Sequence, residues 1–143
     1  MLSILVLSSW AIAKEPDRIH GFRMGACLGF STECMIGSLK FEFGGKYAGF
    51  NLSLPGVPAW AATSLRFYPI PVRHGEKVSW RPYGYVGGSF IIFAAAFAGG
   101  GVGADIHLTK SRRLCLQPSL GGIYTLGYEE GWPSPSMAVM YTF

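Results

Sequence analysis

The stretch Ser134-Pro-Ser-Met-Ala-Val-Met-Tyr-Thr-Phe143 decides how the rest of the chain is read. Counted back from the carboxylate, Phe143, Tyr141, Val139 and Met137 share one face, and Thr142, Met140, Ala138 and Ser136 share the other. That is the period of a β-strand. A strand ending on an aromatic residue is unusual in a soluble chain, whose termini fray into polar residues. It fits a final strand that closes a barrel with its aromatic end at a membrane–water interface.

Working outward, the same alternation recurs. Phe22, Met24, Ala26, Leu28 and Phe30 oppose Gly21, Arg23, Gly25, Cys27 and Gly29, and Leu39, Phe41 and Phe43 oppose Ser38, Lys40 and Glu42. Gly44-Gly45 reads as a two-residue hairpin turn of the primed type, which sets Phe41 across from Ala48 and Leu39 from Phe50. Further strands are predicted over 46–54, 60–68, 80–92, 101–108 and 114–126. With 21–30, 34–43 and the terminal strand that makes eight, each near the roughly 9–11 residues of a tilted membrane strand. Gly84, Gly87 and Gly88 blur the phase of the fifth, leaving the faces of Tyr83 and Tyr85 open.

Composition points to the same class. The chain has 143 residues, enough for one domain, and is 50% hydrophobic but only 14% charged, where about 25% charged is usual for soluble domains. Residues 1–13 (MLSILVLSSWAIA) are an uncharged apolar run ending in Ala11-Ile12-Ala13. This reads as a secretory signal peptide cleaved after Ala13, although its start carries no Lys or Arg, and it leaves 14–143 as the mature domain. It is shorter than the roughly 20 residues of a spanning helix. The other apolar run, 89–102, is interrupted by Gly99-Gly100-Gly101. For an exported hydrophobic chain without a spanning helix, a closed barrel pairs every backbone group in lipid.

Alternation alone leaves the inside face undecided, but volume decides it. Eight strands enclose a lumen only wide enough for side chains to fill. The Phe, Leu, Met and Tyr face would overpack it, whereas the Gly, Ser, Asn and Cys face fits. The predicted fold is therefore an all-β, eight-stranded antiparallel up-and-down transmembrane barrel with its apolar face outward. Arg23, Lys40, Glu42, Arg66, Asp105 and His107 then lie in the lumen as a polar network of paired charges. Trp60, Trp80, Trp132, Tyr141 and Phe143 are the candidate interface aromatics.

Ser136-Met-Ala-Val-Met-Tyr141-Thr-Phe143 resembles the C-terminal assembly signal of bacterial outer-membrane barrels: Ser136 at the polar position, Ala138 where Gly is usual, Tyr141 and Phe143 as the aromatic pair. Most of the mature chain, as pattern, resembles the small barrels of the OmpX/OmpA transmembrane type. That resemblance implies residence in the outer membrane and insertion by its assembly machinery. It also implies a non-enzymatic structural or surface-interaction role, with outer-membrane lipids, lipopolysaccharide included, and a second copy of the chain as partners.

Asp105 and His107 share one strand face and, with Ser119 on the facing strand, could form a base, orienter and nucleophile for lipid acyl transfer or deacylation. The His-x-Ser pattern of the deacylases is absent: the histidines read His20-Gly-Phe, His74-Gly-Glu and His107-Leu-Thr. A soluble lipocalin-like barrel would turn the apolar face inward. Cys27 and Cys34 flank the first hairpin loop in the inward phase, which allows a disulfide in an oxidising compartment, with Cys115 left over. No spacing suggests a metal or cofactor, and no basic cluster with interleaved aromatics supports nucleic-acid binding.

Charge is sorted by end. Lys46, Arg73, Lys77, Lys110, Arg112 and Arg113 fall in even-numbered connections, and Glu33, Glu129 and Glu130 in odd ones. With the first strand rising from the periplasm, the basic rim meets inner-leaflet head groups and the acidic loops face out. The longest connection, 69–79, then lies on the periplasmic side, against the usual pattern of short periplasmic turns, which points to a miscounted strand or a functional loop.

Overall fold

The computed structural model describes residues 21–35, 37–55, 60–70, 72–74, 78–91, 95–108 and 113–143. The period-2 runs form strands throughout, with no helix among the described residues. In chain order these are β1 (Gly21–Ser31), β2 (Cys34–Met35), β3 (Ser38–Gly44), β4 (Ala48–Pro55), β5 (Trp60–Phe67), β6 (Arg73–His74), β7 (Ser79–Ile91), β8 (Ala95–His107), β9 (Leu114–Thr125) and β10 (Glu130–Thr142). β2 and β6 are two-residue pairings. The other eight are staves, each antiparallel to its neighbours, in the order β10-β9-β8-β7-β5-β4-β3-β1. β1 pairs with β10 from Arg23↔Thr142 to Gly29↔Ser136 and closes the sheet into an eight-stranded barrel. Closure leaves no free edge along the paired length.

Burial follows the pleat. Along β5, Ala62, Ser64 and Arg66 are buried while Thr63, Leu65 and Phe67 are exposed. Along β10, Ala138, Met140 and Thr142 are buried while Met137, Val139 and Tyr141 are exposed. The apolar face is outward, opposite to a soluble ligand-binding barrel. Tyr83 and Tyr85 turn inward and are buried, which the glycines around them had hidden.

Glycines of β8 and β9 leave room in the lumen for the large side chains of the nearby β7. A Cβ at Gly103 would run into the Tyr83 ring, and one at Gly121 into the Tyr85 hydroxyl and the Gly100 carbonyl. Proline sits where ladder bonds are already missing. Pro133 and Pro135 lie beyond Ser136, where β10 has β9 but no longer β1 beside it. At Pro118 the β8–β9 ladder is interrupted between Gly103↔Ser119 and Ile106↔Leu116.

Several expectations change. Gly44-Gly45 is not a primed turn: Phe43 faces Phe50 and Gly44 faces Gly49, so the connection spans 45–48 with Gly45 N–H donating to the Ala48 carbonyl. Relative to the predicted pairing the partner of Phe41 moves from Ala48 to Leu52, a four-residue shift of register that is even and so preserves the faces. β8 begins at Ala95, not at residue 101, so Gly99-Gly100-Gly101 lies inside a stave. The stave count stands at eight, so the long connection after β5 is genuine. It lies at the end that also carries Gly21 and Phe143, where β6 folds it back onto Trp80 and Ser79. Residues 1–20, and with them the predicted signal peptide, His20 and the leader cleavage site, lie outside the described residues, as do Lys77, Lys110 and Arg112.

The largest corrections concern the first hairpin. Phe30 is not on the outer wall; its ring meets that of Phe97 edge-to-face at 5.6 Å. Glu33 is not in an outward acidic loop but fully buried in the lumen. Both follow from β1 leaving the barrel wall at Gly29, whose φ of +147° lets the chain turn inward. Trp60 is not an interface aromatic either. It shares the inward phase of Ala62 and packs against the cluster of Ala62, Phe97 and Ile123.

Candidate functional site

The candidate site is the lumen, built in layers from the inward-facing residues of the staves. Nearest the chain ends, Arg23 of β1 donates from Nη2 to Glu42 Oε1 at 2.9 Å and to Asp105 Oδ2 at 3.0 Å. Arg81 of β7 reaches Asp105 Oδ2 at 3.4 Å and lays its guanidinium 3.4 Å from the centre of the Tyr68 ring. Tyr68 donates its hydroxyl to Glu42 Oε1 at 3.0 Å.

One layer further in, Arg66 of β5 is the hub. Its Nη1 binds Glu42 Oε2 at 2.8 Å and Asp105 Oδ1 at 3.4 Å, while Nε and Nη2 grip the two oxygens of Glu33 at 2.5 and 2.7 Å. Gln117 of β9 donates to Glu42 at 2.9 Å and to Asp105 at 3.0 Å, and accepts from Arg66 at 3.3 Å. Lys40 Nζ lies 3.5 Å from Glu33. Asn51 donates to the Glu33 carbonyl at 3.1 Å. The result is a network of four cations and three carboxylates among the described residues, all with fully or almost fully buried side chains. Charges at such depth persist only when hydrogen-bonded from several sides, and every carboxylate here accepts from at least two donors.

Above it, toward the connections after β1 and β5's start, the lumen turns apolar. Ala62, Phe97 and Ile123 form its core, with Phe30, Trp60, Ile91 and Ala95 packed against them. Beside it Ser31, Ser119 and Ser136 form a hydroxyl chain, Ser119 to Ser136 at 2.5 Å and Ser31 to Ser136 at 3.2 Å. Cys27 and Cys34 are joined by a disulfide that ties the first hairpin to the wall of β1.

All six lumen residues picked from the alternation lie inside and buried, and the structure brings five of them, Arg23, Lys40, Glu42, Arg66 and Asp105, into one ion-pair network. His107 is buried at the terminal end, facing Cys115 across the β8–β9 ladder. Sequence reasoning missed Glu33, Arg81, Gln117, Tyr68 and Tyr83. Ser119 is not brought to His107: it pairs with Gly103, four residues away along β8, or about 13 Å at the rise of a strand.

Register assembles a different group instead. Asp105, His107 and Cys115 bring potential ligand atoms within 4.8 Å of one another. Arg23 already sits against two of the three, 3.0 Å from Asp105 and 3.6 Å from Cys115 Sγ, so its guanidinium takes the place a metal cation would need. The same three are nucleophile, base and orienter in type, and all are fully buried, with Arg23 against Asp105 and Cys115.

The remaining assembly-signal residues divide by face: Ala138 is buried and Ser136 partly so, while Tyr141 and Phe143 are exposed at the terminal end. Trp80 and Trp132 are exposed at opposite ends of the barrel. At the terminal end three of the described cations meet aromatic side chains: Lys46 lies over the Tyr47 ring at 5.3 Å, Arg73 over the Trp80 ring at 5.9 Å, and Arg113 donates to the Tyr141 hydroxyl at 3.3 Å.

No family model, no curated protein and no solved structure matches this chain.

Proposed function

We propose that this protein is an integral barrel of a bacterial outer membrane, with a structural or surface-interaction role and a lumen filled by its own side chains. The observation that carries the reading is the inverted burial. Leu28, Val102 and Leu120 are 69%, 65% and 61% exposed, whereas Arg23, Glu42, Arg66 and Asp105 are 0% exposed. In water that distribution leaves a contiguous apolar wall far larger than soluble monomers present. In lipid the wall is solvated by acyl chains and closure satisfies the backbone.

The aromatic–cation pairs of the terminal end support an orientation with that rim at the inner leaflet, where Lys46, Arg73 and Arg113 meet anionic head groups while the rings anchor the interface. Glu129 and Glu130, both exposed at the opposite end, then face outward.

Fractionation of expressing cells, together with gel mobility before and after heating, tests this reading. The expected result is recovery in the outer-membrane fraction and a faster-migrating unheated band, the behaviour of a barrel that resists detergent until boiled. Recovery in the soluble periplasmic fraction would overturn it.

A further inference from the structure

Glu33 belongs to the turn between β1 and β2, yet its carboxylate lies in the lumen under five donors. Arg66 supplies Nε and Nη2 at 2.5 and 2.7 Å, the Tyr83 hydroxyl stands at 3.1 Å, Ser64 Oγ at 3.2 Å and Lys40 Nζ at 3.5 Å. None of these four residues belongs to the hairpin, and all are buried in the barrel wall. A side-on guanidinium joined by an ammonium, a phenol and a hydroxyl is a carboxylate-binding site. The same hairpin presents the Phe30 ring to Phe97 in the apolar layer above. One short segment thus offers an acid to the polar layer and an apolar body to the next.

Two further features bear on how that segment is held. Cys34, which follows Glu33, is bonded to Cys27 on the wall, so the hairpin is tethered covalently. Beside it the wall lacks a partner: from Glu130 to Pro135, β10 is paired with β9 but has no pairing with β1.

We propose that the lumen contains a binding site for an amphipathic monocarboxylate of the fatty-acid class, and that hairpin 30–34 occupies it as a tethered stand-in. Arg66, Lys40, Ser64 and Tyr83 take the carboxylate; Phe97 and Ile123 take the apolar body. With Glu33 withdrawn the lumen keeps four cations against Glu42 and Asp105, so the vacated place selects an anion. The Cys27–Cys34 bond keeps the hairpin seated, and its loss frees the site. The site needs only the barrel and its lumen, wherever the barrel resides.

Calorimetric titration of the folded protein in non-ionic detergent, with octanoate as probe and octanol and acetate as matched controls, tests this. The disulfide-bonded wild type should show no saturable octanoate binding. Cys27→Ser combined with Cys34→Ser should bind octanoate about tenfold more tightly than either control. Adding Glu33→Ala should tighten octanoate roughly fivefold further, because the internal competitor is gone. Equal affinity for octanoate and octanol, no effect of Glu33→Ala, or no binding by either variant overturns the proposal. Glu33→Ala alone, which keeps the disulfide, gives an independent arm: acetate should raise its thermal midpoint and leave the wild type unmoved. An unmoved midpoint in that variant also overturns the site.

Discussion

Arg23 of β1 and Asp105 of β8 lie 82 positions apart on staves that are not neighbours, and they meet at 3.0 Å inside the lumen. The pair spans the barrel, so the interior charges brace opposite walls as well as neutralising one another. Arg66 extends the brace to Glu33, Glu42 and Asp105 together.

Removing that hub should be severe. Arg66→Met leaves three buried carboxylates short of a partner, and the expected loss is about 3–5 kcal/mol, the range for breaking a buried pair from one side. Equilibrium unfolding in urea from detergent or vesicles measures it. Arg66→Lys restores the charge but not the side-on fork and should recover only part of the loss. A loss near zero for Arg66→Met would mean that the network is not load-sharing.

Two glycines on the same pair of staves should respond oppositely. At Gly103 a methyl group collides with the Tyr83 ring, whereas at Gly84 the nearest atom is the Gly101 carbonyl oxygen at 3.8 Å. Gly103→Ala should therefore cost about 1–3 kcal/mol as overpacking, and Gly84→Ala should stay within about 0.5 kcal/mol of wild type, as surface changes do. Adding Tyr83→Leu to Gly103→Ala should return part of the loss by vacating the ring's place. The same unfolding measurement reads all three.

The cysteines should label in a fixed order. Cys27 and Cys34 are bonded and Cys115 is buried, so a maleimide mass tag should add nothing to the folded protein. Unfolding without reductant should expose Cys115 alone, and unfolding with reductant should expose all three. Because the bridge spans seven positions, the Cys27→Ser, Cys34→Ser variant should lose roughly 2–3 kcal/mol on a loop-closure account. A tag on the folded, unreduced protein would contradict the pairing.

The terminal aromatic should matter more for assembly than for stability. Phe143 is 69% exposed and touches Phe22 and Tyr141 with ring centres 5.8 and 5.2 Å away. Phe143→Ala should cost only about 0.5–1.5 kcal/mol, the worth of such ring contacts. If the last residues act as an assembly signal, the same change should lower the heat-modifiable fraction in cells severalfold while leaving export intact. Equal loss of both would count against that role.

Faces were legible in the sequence because the pleat is local. Whether Leu65 or Arg66 points inward depends on parity alone, and parity survives errors of boundary and even the four-residue slip of register between β3 and β4. What remained hidden depends on where a stave stops. Phe30 and Glu33 reverse their assignments because β1 departs from the wall at Gly29, whereas Trp60 has the parity of Ala62, Ser64 and Arg66, so the pleat already placed it inward and only its aromatic character argued for the interface. One local hint did exist for Glu33. The inward phase, once Arg81 is included, held four cations against two carboxylates, an imbalance that calls for another acid. Glu33, between the two inward cysteines, was the nearest supply. The grouping of Asp105, His107 and Cys115 was invisible for a different reason: it arises from the β8–β9 register, which no single strand encodes.

The lumen network also has a kinetic side. Its charged members come from β1, β3, β5, β7, β8 and the first hairpin, so no isolated β-hairpin intermediate can complete it. Until the first and last staves join, those seven charges stay hydrated, and the joining step strips their water together. Most of the electrostatic gain therefore arrives at the end of folding. Partly formed sheets lack it, the barrel should rise and fall as one cooperative unit, and opening its seam should be slow.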